Sequence, residues 1–384
     1  MFVTNVFRLL FLLLNSGIFL EIDSSSCNVF DKKDFDRNSE LKFVHVLFRH
    51  GDRSPIIQAP GDLYDQSKWP DGLGQLTNLG KQQQFNLGKW LRSRYNGFLS
   101  PSYKFDEIYI QSSDVDRTLM SAQANLAGLY APRGRQIWNP LLLWQPIPVH
   151  TQPQETDYLI AGEVPLTCTS YQKALEAHQE SPEYLAELQE KKPFFDYISY
   201  HLNATVIENY MTLLLLWDGW VCNTAHNLRI PSWAKPLFLN NEAYYKAALK
   251  YYYLTTETPY LAKYFGGFLL KDILDRLSSK VGKTLDPDRK FWIYSSHDSK
   301  VFGFLNSLGV SDNKFAGYTA TVIVELRSYK DENYVQIIYK NLNETPYVIN
   351  IPGCGYACPL EKMYEIYATI IPKQPFDVEC QIDE

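Results

Sequence analysis

Residues 49–55 read Arg-His-Gly-Asp-Arg-Ser-Pro, which puts two guanidiniums and an imidazole within five positions. Arginine offers planar, permanently charged donors that match phosphate oxygens, so Arg49 and Arg53 make an anion receptor and a poor core. His50, between them, can attack an atom that the arginines hold. An isolated Arg-His dipeptide is usually a surface turn. The full pattern R-H-G-x-R-x-P is far rarer, arising by chance on the order of once in ten thousand chains of this length. Two later segments carry the same kinds of group: Ser112-Ser113-Asp114-Val115-Asp116-Arg117-Thr118 adds a third arginine, and Ser296-His297-Asp298 sets a second imidazole beside a carboxylate.

Each segment follows a short apolar run. KFVHVLF (42–48), EIYIQ (107–111) and FWIYS (291–295) have the β-branched and aromatic content of buried strands. Strand ends of this kind are where open α/β sheets bind ligands. Between the first two strands, the polar stretch with Pro60, Gly61, Pro70, Gly72 and Gly74 reads as a loop over the site. Leu79, Gln83, Leu87, Trp90, Leu91 and Tyr95 then recur at helical spacing behind a Thr77 or Asn78 cap. Ser113 or Asp114 is expected to cap the helix that carries Arg117. From residue 151 to 260 the alternation of strand and helix gives way to helical patterns, among them a start at Ser181-Pro182-Glu183. LLLLW (213–217) is too short to span a membrane and reads as core. Residues 319–327 and 334–340 alternate with period two and predict an antiparallel hairpin at the sheet edge.

The R-H-G-x-R-x-P turn, the S-S-D-x-D-R-T segment, the LTNLGKQQQFNLGKWLRSRY helix and the WQPIPVH stretch (144–150) together resemble the histidine acid phosphatases, in the branch with the prostatic, lysosomal and insect venom enzymes. The resemblance runs from about Leu41 to Cys380 and is weakest in the helical insert. It implies a phosphoglycerate mutase-like α/β fold: a mixed sheet flanked by helices, with a smaller inserted helical cap. The catalytic domain is expected at 27–150 and 261–384 and the cap at 151–260. By the same resemblance Arg49, Arg53, Arg117 and His297 bind phosphate, His50 is the nucleophile and Asp298 the proton donor. The mutases of that fold keep a second histidine but place their acid elsewhere, so Asp298 favours a phosphatase. The 144–150 stretch lies near the subunit contact in relatives, which implies a homodimer.

The formal charge of −6, from 43 acids against 37 bases without blocks of one sign, gives no footprint for nucleic acid or anionic membrane. Residues 1–25 read as a secretory signal: Arg8 supplies charge, LLFLLL (9–14) an apolar core, and 24–26 small residues. A membrane anchor is the competing reading, opposed by Asn15, Ser16 and Gly17, which interrupt the apolar stretch too early. No membrane association is expected once the signal is removed, and the product belongs in a secretion or in the lysosomal lumen. Asn203 and Asn343 head glycosylation sequons. Six cysteines on that route point to disulfides. Cys354 and Cys358 are spaced for a local loop, and resemblance pairs Cys168 with Cys380. The family's usual partner for Cys222 lies shortly after the position of Tyr318, where this chain has no cysteine, which leaves Cys27 and Cys222 unassigned, with a bridge between them as one option.

The expected reaction is hydrolysis of a phosphate monoester through a phosphohistidine. No H-E-x-x-H or paired Cys-x-x-Cys motif is present, and three arginines repel a cation, so no metal or cofactor is expected. The competing readings are a phytase-like or inositol polyphosphate phosphatase, which needs a more basic pocket, and a secreted binding protein or allergen with a silent site.

Overall fold

The computed structural model describes residues 31–381. One sheet runs through the molecule in the order β2–β3–β1–β4–β5–β6, with β7 on the other part of β5. Its strands are β1 (Glu40–Arg49), β2 (Ile108–Ser112), β3 (Phe291–Ser296), β4 (Thr321–Tyr329), β5 (Glu332–Lys340), β6 (Tyr347–Val348) and β7 (Cys358–Pro359). β2, β3 and β1 are mutually parallel, and the remaining pairings are antiparallel.

The helices, in chain order, are α1 (Lys32–Asn38), α2 (Asn78–Arg94), α3 (Asp116–Leu129), α4 (Thr169–Gln179), α5 (Pro182–Glu190), α6 (Lys192–Leu202), α7 (Tyr210–Ala225), α8 (Lys235–Asn240), α9 (Glu242–Leu254), α10 (Pro259–Ala262), α11 (Phe268–Val281), α12 (Asp298–Ser307), α13 (Leu360–Ile366) and α14 (Phe376–Glu379). The sheet is covered on both faces, which is why β1 reads as a continuous apolar run. Phe43 and Leu47 point into a core with Leu269, Leu274 and Leu277 of α11 and Phe304 of α12. Val44, Val46 and Phe48 point the other way, onto Leu87 and Leu91 of α2 and Leu126 and Leu129 of α3. Each such side chain contributes about 1.5–3 kcal/mol of apolar burial.

Between α3 and α10 the chain makes the six helices α4 to α9. Tyr210, Leu213, Leu216 and Trp220 of α7 pack with Phe195 and Ile198 of α6 and Tyr244 and Ala248 of α9 in a core of their own. The start at Ser181 is as the spacing predicts: its hydroxyl accepts from the Tyr184 N–H, and Pro182 takes the first helical position. Among residues 213–217, Leu213, Leu214 and Leu216 are buried.

Three expectations are corrected. The hairpin forms, but β4 lies inside the sheet against β1, and β5 is covered by β6 and β7. Its turn is tightened by positive φ at Lys330 and Asp331 (50° and 63°), as short hairpins require. The inner face of α2 is Gly80, Gln84, Leu87, Gly88 and Leu91, while Leu79 is exposed. The helix is rotated because Gly80 lies against the turn that follows β1: a Cβ on Gly51 would stand 2.2 Å from the Gly80 carbonyl oxygen. Lastly, α3 is preceded by Val115 with no side-chain cap, so neither Ser113 nor Asp114 has that role.

Disulfides join Cys168 to Cys380 and Cys354 to Cys358. Cys222 is buried and free among the described residues. Cys27 and the proposed signal at 1–25 lie outside the described residues. No described helix is long and apolar enough to cross a membrane.

Candidate active site

The parallel register delivers the site. Arg49 pairs with Ser296 across β1 and β3, and Ser112 pairs with Ser295 across β2 and β3, so three chain segments leave the sheet side by side. The turn after β1 is held by its backbone: the His50 N–H donates to the Ser296 carbonyl at 2.9 Å, and the Thr319 N–H donates to the His50 carbonyl at 3.2 Å. Gln84 donates to the Arg49 carbonyl at 2.7 Å, Gly51 N–H to Ser121 Oγ at 3.1 Å, and Asp52 N–H to Gln83 Oε1 at 2.8 Å. Polar residues of α2 and α3 thus stand in for strand pairing where the strand ends.

His50 is 1% exposed. Its Nδ1 is 2.7 Å from the Gly51 carbonyl oxygen, which can only accept, so Nδ1 carries the proton and Nε2 keeps its lone pair. Burial, then Arg49, Arg117 and Arg53, hold its pKa well below the usual imidazole range. A neutral, nucleophilic ring therefore persists into acid. The His297 ring stands with its centroid 5.8 Å from that of His50, edge to face.

Arg117 lies 3.3 Å through Nη2 from His297 Nδ1. A guanidinium only donates, so Nδ1 accepts and Nε2 bears the proton, which goes to Ser113 Oγ at 2.9 Å. Ser113 passes its own hydrogen to Thr118 Oγ1 at 2.8 Å, and Thr118 donates to the Val115 carbonyl at 2.7 Å. The serine expected to cap a helix sets the histidine's tautomer instead. Burial and Arg117 lower the His297 pKa to about 3, against an upward pull from Asp298.

Asp298 opens α12, with its Oδ1 accepting from the Ser299 N–H at 2.8 Å and its Oδ2 2.6 Å from Arg49 Nη2. Burial pushes its carboxyl up, but Arg49, Arg53 and His297 outweigh that and hold it at about 2. Arg53 is bound through both terminal nitrogens, at 2.9 Å each, to Asp218 of α7. Arg49 also donates to the Ala316 carbonyl at 2.8 Å and lies over the Tyr318 ring at 4.3 Å. Nε of Arg49, of Arg53 and of Arg117 is buried without a partner among the described residues. Buried donors are costly when unpaired, and an anion with several acceptor oxygens would satisfy them.

All six residues singled out in the sequence therefore belong to one cluster. Sequence reasoning did not find Asp218, Tyr318 or the role of Ser113. Asp218 had a signal, a lone carboxylate in the apolar text of α7. Tyr318 had none. Cys222 stands 3.6 Å from Arg53 Nη1 and 3.4 Å from the Tyr318 hydroxyl, and burial raises its thiol to about 12. It packs behind the arginine as a neutral thiol.

Arg117, His297 and Asp298 open into a cleft of about 520 Å³, walled by Ile56, Met211, Leu214 and Tyr252 and edged by Glu155 and Glu163. A larger cavity of about 880 Å³, at Tyr158, Phe376 and Cys380, holds none of the six. Among the described residues no cluster of three or more His, Cys, Asp or Glu is arranged to hold a metal.

Residues 40–340 match the family model of the histidine phosphatase superfamily, branch 2. The lysosomal acid phosphatase of Xenopus laevis is 38% identical over 352 residues, covering 90% of this chain and 80% of that protein. The prostatic acid phosphatase of Homo sapiens is 37% identical over 344 residues, covering 89% and 88%. The apo form of Hafnia alvei phytase superposes with a TM-score of 0.65 at 19% identity, covering 90% of this chain and 99% of that one, a likeness of fold. The chain belongs to the histidine phosphatase superfamily, branch 2.

Proposed function

We propose that the chain is an acid phosphatase that hydrolyses phosphate monoesters in two displacements. The observation that carries the reading is the His50 Nδ1–H bond to the Gly51 carbonyl at 2.7 Å, which leaves Nε2 free to attack phosphorus. Arg49, Arg53 and Arg117 hold the equatorial oxygens and spread the charge that builds on them, and His297 joins them when the anion's charge raises its pKa and brings a proton onto Nδ1. Asp298 gives a proton to the departing alkoxide, and a phosphohistidine remains. Asp298, now a carboxylate, takes a proton from water as the water attacks phosphorus and releases His50.

The acid preference follows from charge. Asp298 is ionised in the empty site, with its carboxyl at about 2. A phosphate monoester loses its second proton near pH ~6, so in acid it enters as a monoanion that carries the proton Asp298 needs. The anion's charge beside the carboxylate raises the Asp298 pKa and favours that transfer. Above about pH 6 the substrate arrives without its proton and turnover falls.

The cleft edge argues for a single phosphate group. Glu155 and Glu163 are acids at the rim, and Arg117 is the cation of the lining. A polyphosphorylated ring would meet repulsion there, which speaks against the phytase-like alternative. The complete set of reactive groups speaks against a silent binding protein. The segment from 151 to 260 acts in this reading as a cap that contributes Asp218. A secreted or lysosomal lumenal location fits the relatives, a lysosomal and a prostatic acid phosphatase. Asn203 and Asn343 are exposed, as glycan acceptors must be. A homodimer is supported by an apolar patch beside the 144–150 stretch: Trp138, Leu141 and Leu143 are 58%, 95% and 72% exposed.

The test is rapid quenching at neutral or alkaline pH during turnover of a labelled phosphate monoester. An acid-labile, alkali-stable phosphoenzyme is expected, absent in His50→Ala. Label on His297 would reverse the two roles, and a phosphoenzyme retained in His50→Ala would overturn the assignment.

A further inference from the structure

The cleft shares a wall with a second cavity of about 360 Å³ that contains none of the reactive groups. Leu215 of α7 lines both. The division follows from helical geometry: Met211, Leu214 and Leu215 face the cleft, while Thr212, Leu215 and Leu216, one residue further round, face the annex. The loop after the catalytic turn is divided in the same way, with Ile56 in the cleft and Ile57 in the annex. Leu202, Val206 and Ile207, from the end of α6 and the loop that follows, complete the far wall.

Large apolar side chains along this path are left in water. Ile56 is 44% exposed, Ile57 40%, Met211 40% and Ile207 73%. A contiguous apolar strip leading out of a reactive site marks a place where a ligand is covered. The annex provides area with almost no hydrogen bonding: the Thr212 hydroxyl donates to Asn209 Oδ1 at 3.0 Å, and Thr205 is the other hydroxyl of the lining. A sugar, an inositol or a peptide backbone placed there would lose water without gaining partners. A run of methylenes loses nothing.

We infer that the annex is a subsite for the hydrocarbon chain of the substrate, so that the favoured leaving group is a long-chain alcohol whose phosphate rests at His50 while its chain crosses Leu215. The inference rests on the phosphatase reading and adds the class of alcohol released.

Two series test it: n-alkyl phosphates from ethyl to decyl as substrates, and the matching alkylphosphonates, whose carbon–phosphorus bond is not cleaved, as ligands, all kept below the concentration at which they aggregate. Full burial of a methylene corresponds to roughly fourfold in affinity, so kcat/KM and phosphonate affinity should climb by about threefold per added carbon until the annex is full. Ile207→Asp should flatten the climb and leave ethyl phosphate turnover unchanged, whereas Ile207→Leu should preserve both. Ile207 is so exposed that neither change threatens the fold. Turnover of ethyl phosphate with a flat series in the native chain overturns the annex alone, as does a slope that Ile207→Asp leaves intact. Chain-dependent phosphonate binding without any turnover overturns the reaction and keeps the subsite. Preference for a phosphotyrosyl peptide over decyl phosphate would also overturn the assignment.

Discussion

Replacing Asp298 by Asn separates a proton donor from a residue that merely orients its neighbours. The carboxylate is 2.6 Å from Arg49 Nη2, so a phosphate held by the same guanidinium stands roughly 5 Å from it. At an effective dielectric of about 20, a carboxylate and a dianion at that distance repel by up to about 7 kcal/mol, or about five pKa units on a carboxyl that starts at about 2. Binding a dianion therefore requires Asp298 to take up a proton, and that uptake must appear in the pH dependence. Sulfate keeps its charge through the acid range and is a suitable probe, read by calorimetry. The native chain should bind it more weakly as pH rises. Asp298→Asn should bind more tightly at neutral pH by about a hundredfold or more, with the slope of log Kd against pH shallower by about one through the acid range. Turnover should show the opposite cost. An alkoxide needs its proton, so phosphorylation by an alkyl phosphate, measured in single turnovers, should slow by about 100 to 10,000-fold. Nitrophenolate leaves without help, and p-nitrophenyl phosphate should lose less than about tenfold. Equal losses for both substrates together with unchanged sulfate binding would refute Asp298 as the acid.

Asp218→Ala strands Arg53, and breaking a buried ion pair costs about 3–5 kcal/mol, so the melting temperature should fall and be partly restored by saturating phosphate, which re-pairs the guanidinium; a fall that phosphate leaves untouched would count against Arg53 as a ligand. Ser113→Ala removes the acceptor of the His297 Nε2–H, and a neutral hydrogen bond of this kind is worth about 0.5–1.5 kcal/mol, so kcat should drop by up to about tenfold with an altered pH profile, and Ser113→Thr should recover it. A uniform loss at every pH would leave Ser113 a packing role only. Glu325, buried within the sheet, accepts from Arg94, Arg327 and Tyr95. Burial pushes its carboxyl up, but Arg327 and Arg94 outweigh this and lower it, so its stabilisation is complete above the unfolded value near ~4.3 and fades as pH falls through the lower folded value. Urea melts of Glu325→Gln and the native chain should therefore differ most at pH 6, with the gap narrowing as pH falls below about 4.3; a constant gap would refute the ionic origin.

The reactive half of this protein is legible in its chain because the chemistry is local. R-H-G-x-R-x-P, Arg117 and His297-Asp298 each sit at the end of a strand whose apolar run announces itself, and a parallel sheet must bring such ends to one edge. The family resemblance is readable for the same reason, from residue types in fixed order, and the Cys168–Cys380 pairing only through that resemblance. What the strands could not announce is what crosses between segments far apart in the chain. Asp218 meets Arg53 over 165 residues, and Ser113 meets His297 over 184. Neither partner has a local pattern that a helix cap or an apolar helix would not equally explain. The rotation of α2 depended on the approach of Gly80 to Gly51, and the interior place of β4 on its pairing with β1. Protonation is the clearest case: which nitrogen of His50 and of His297 carries hydrogen follows from a carbonyl and a guanidinium that only the assembled fold puts within reach. Residue order chose the groups; packing chose their partners, and with them their charge states.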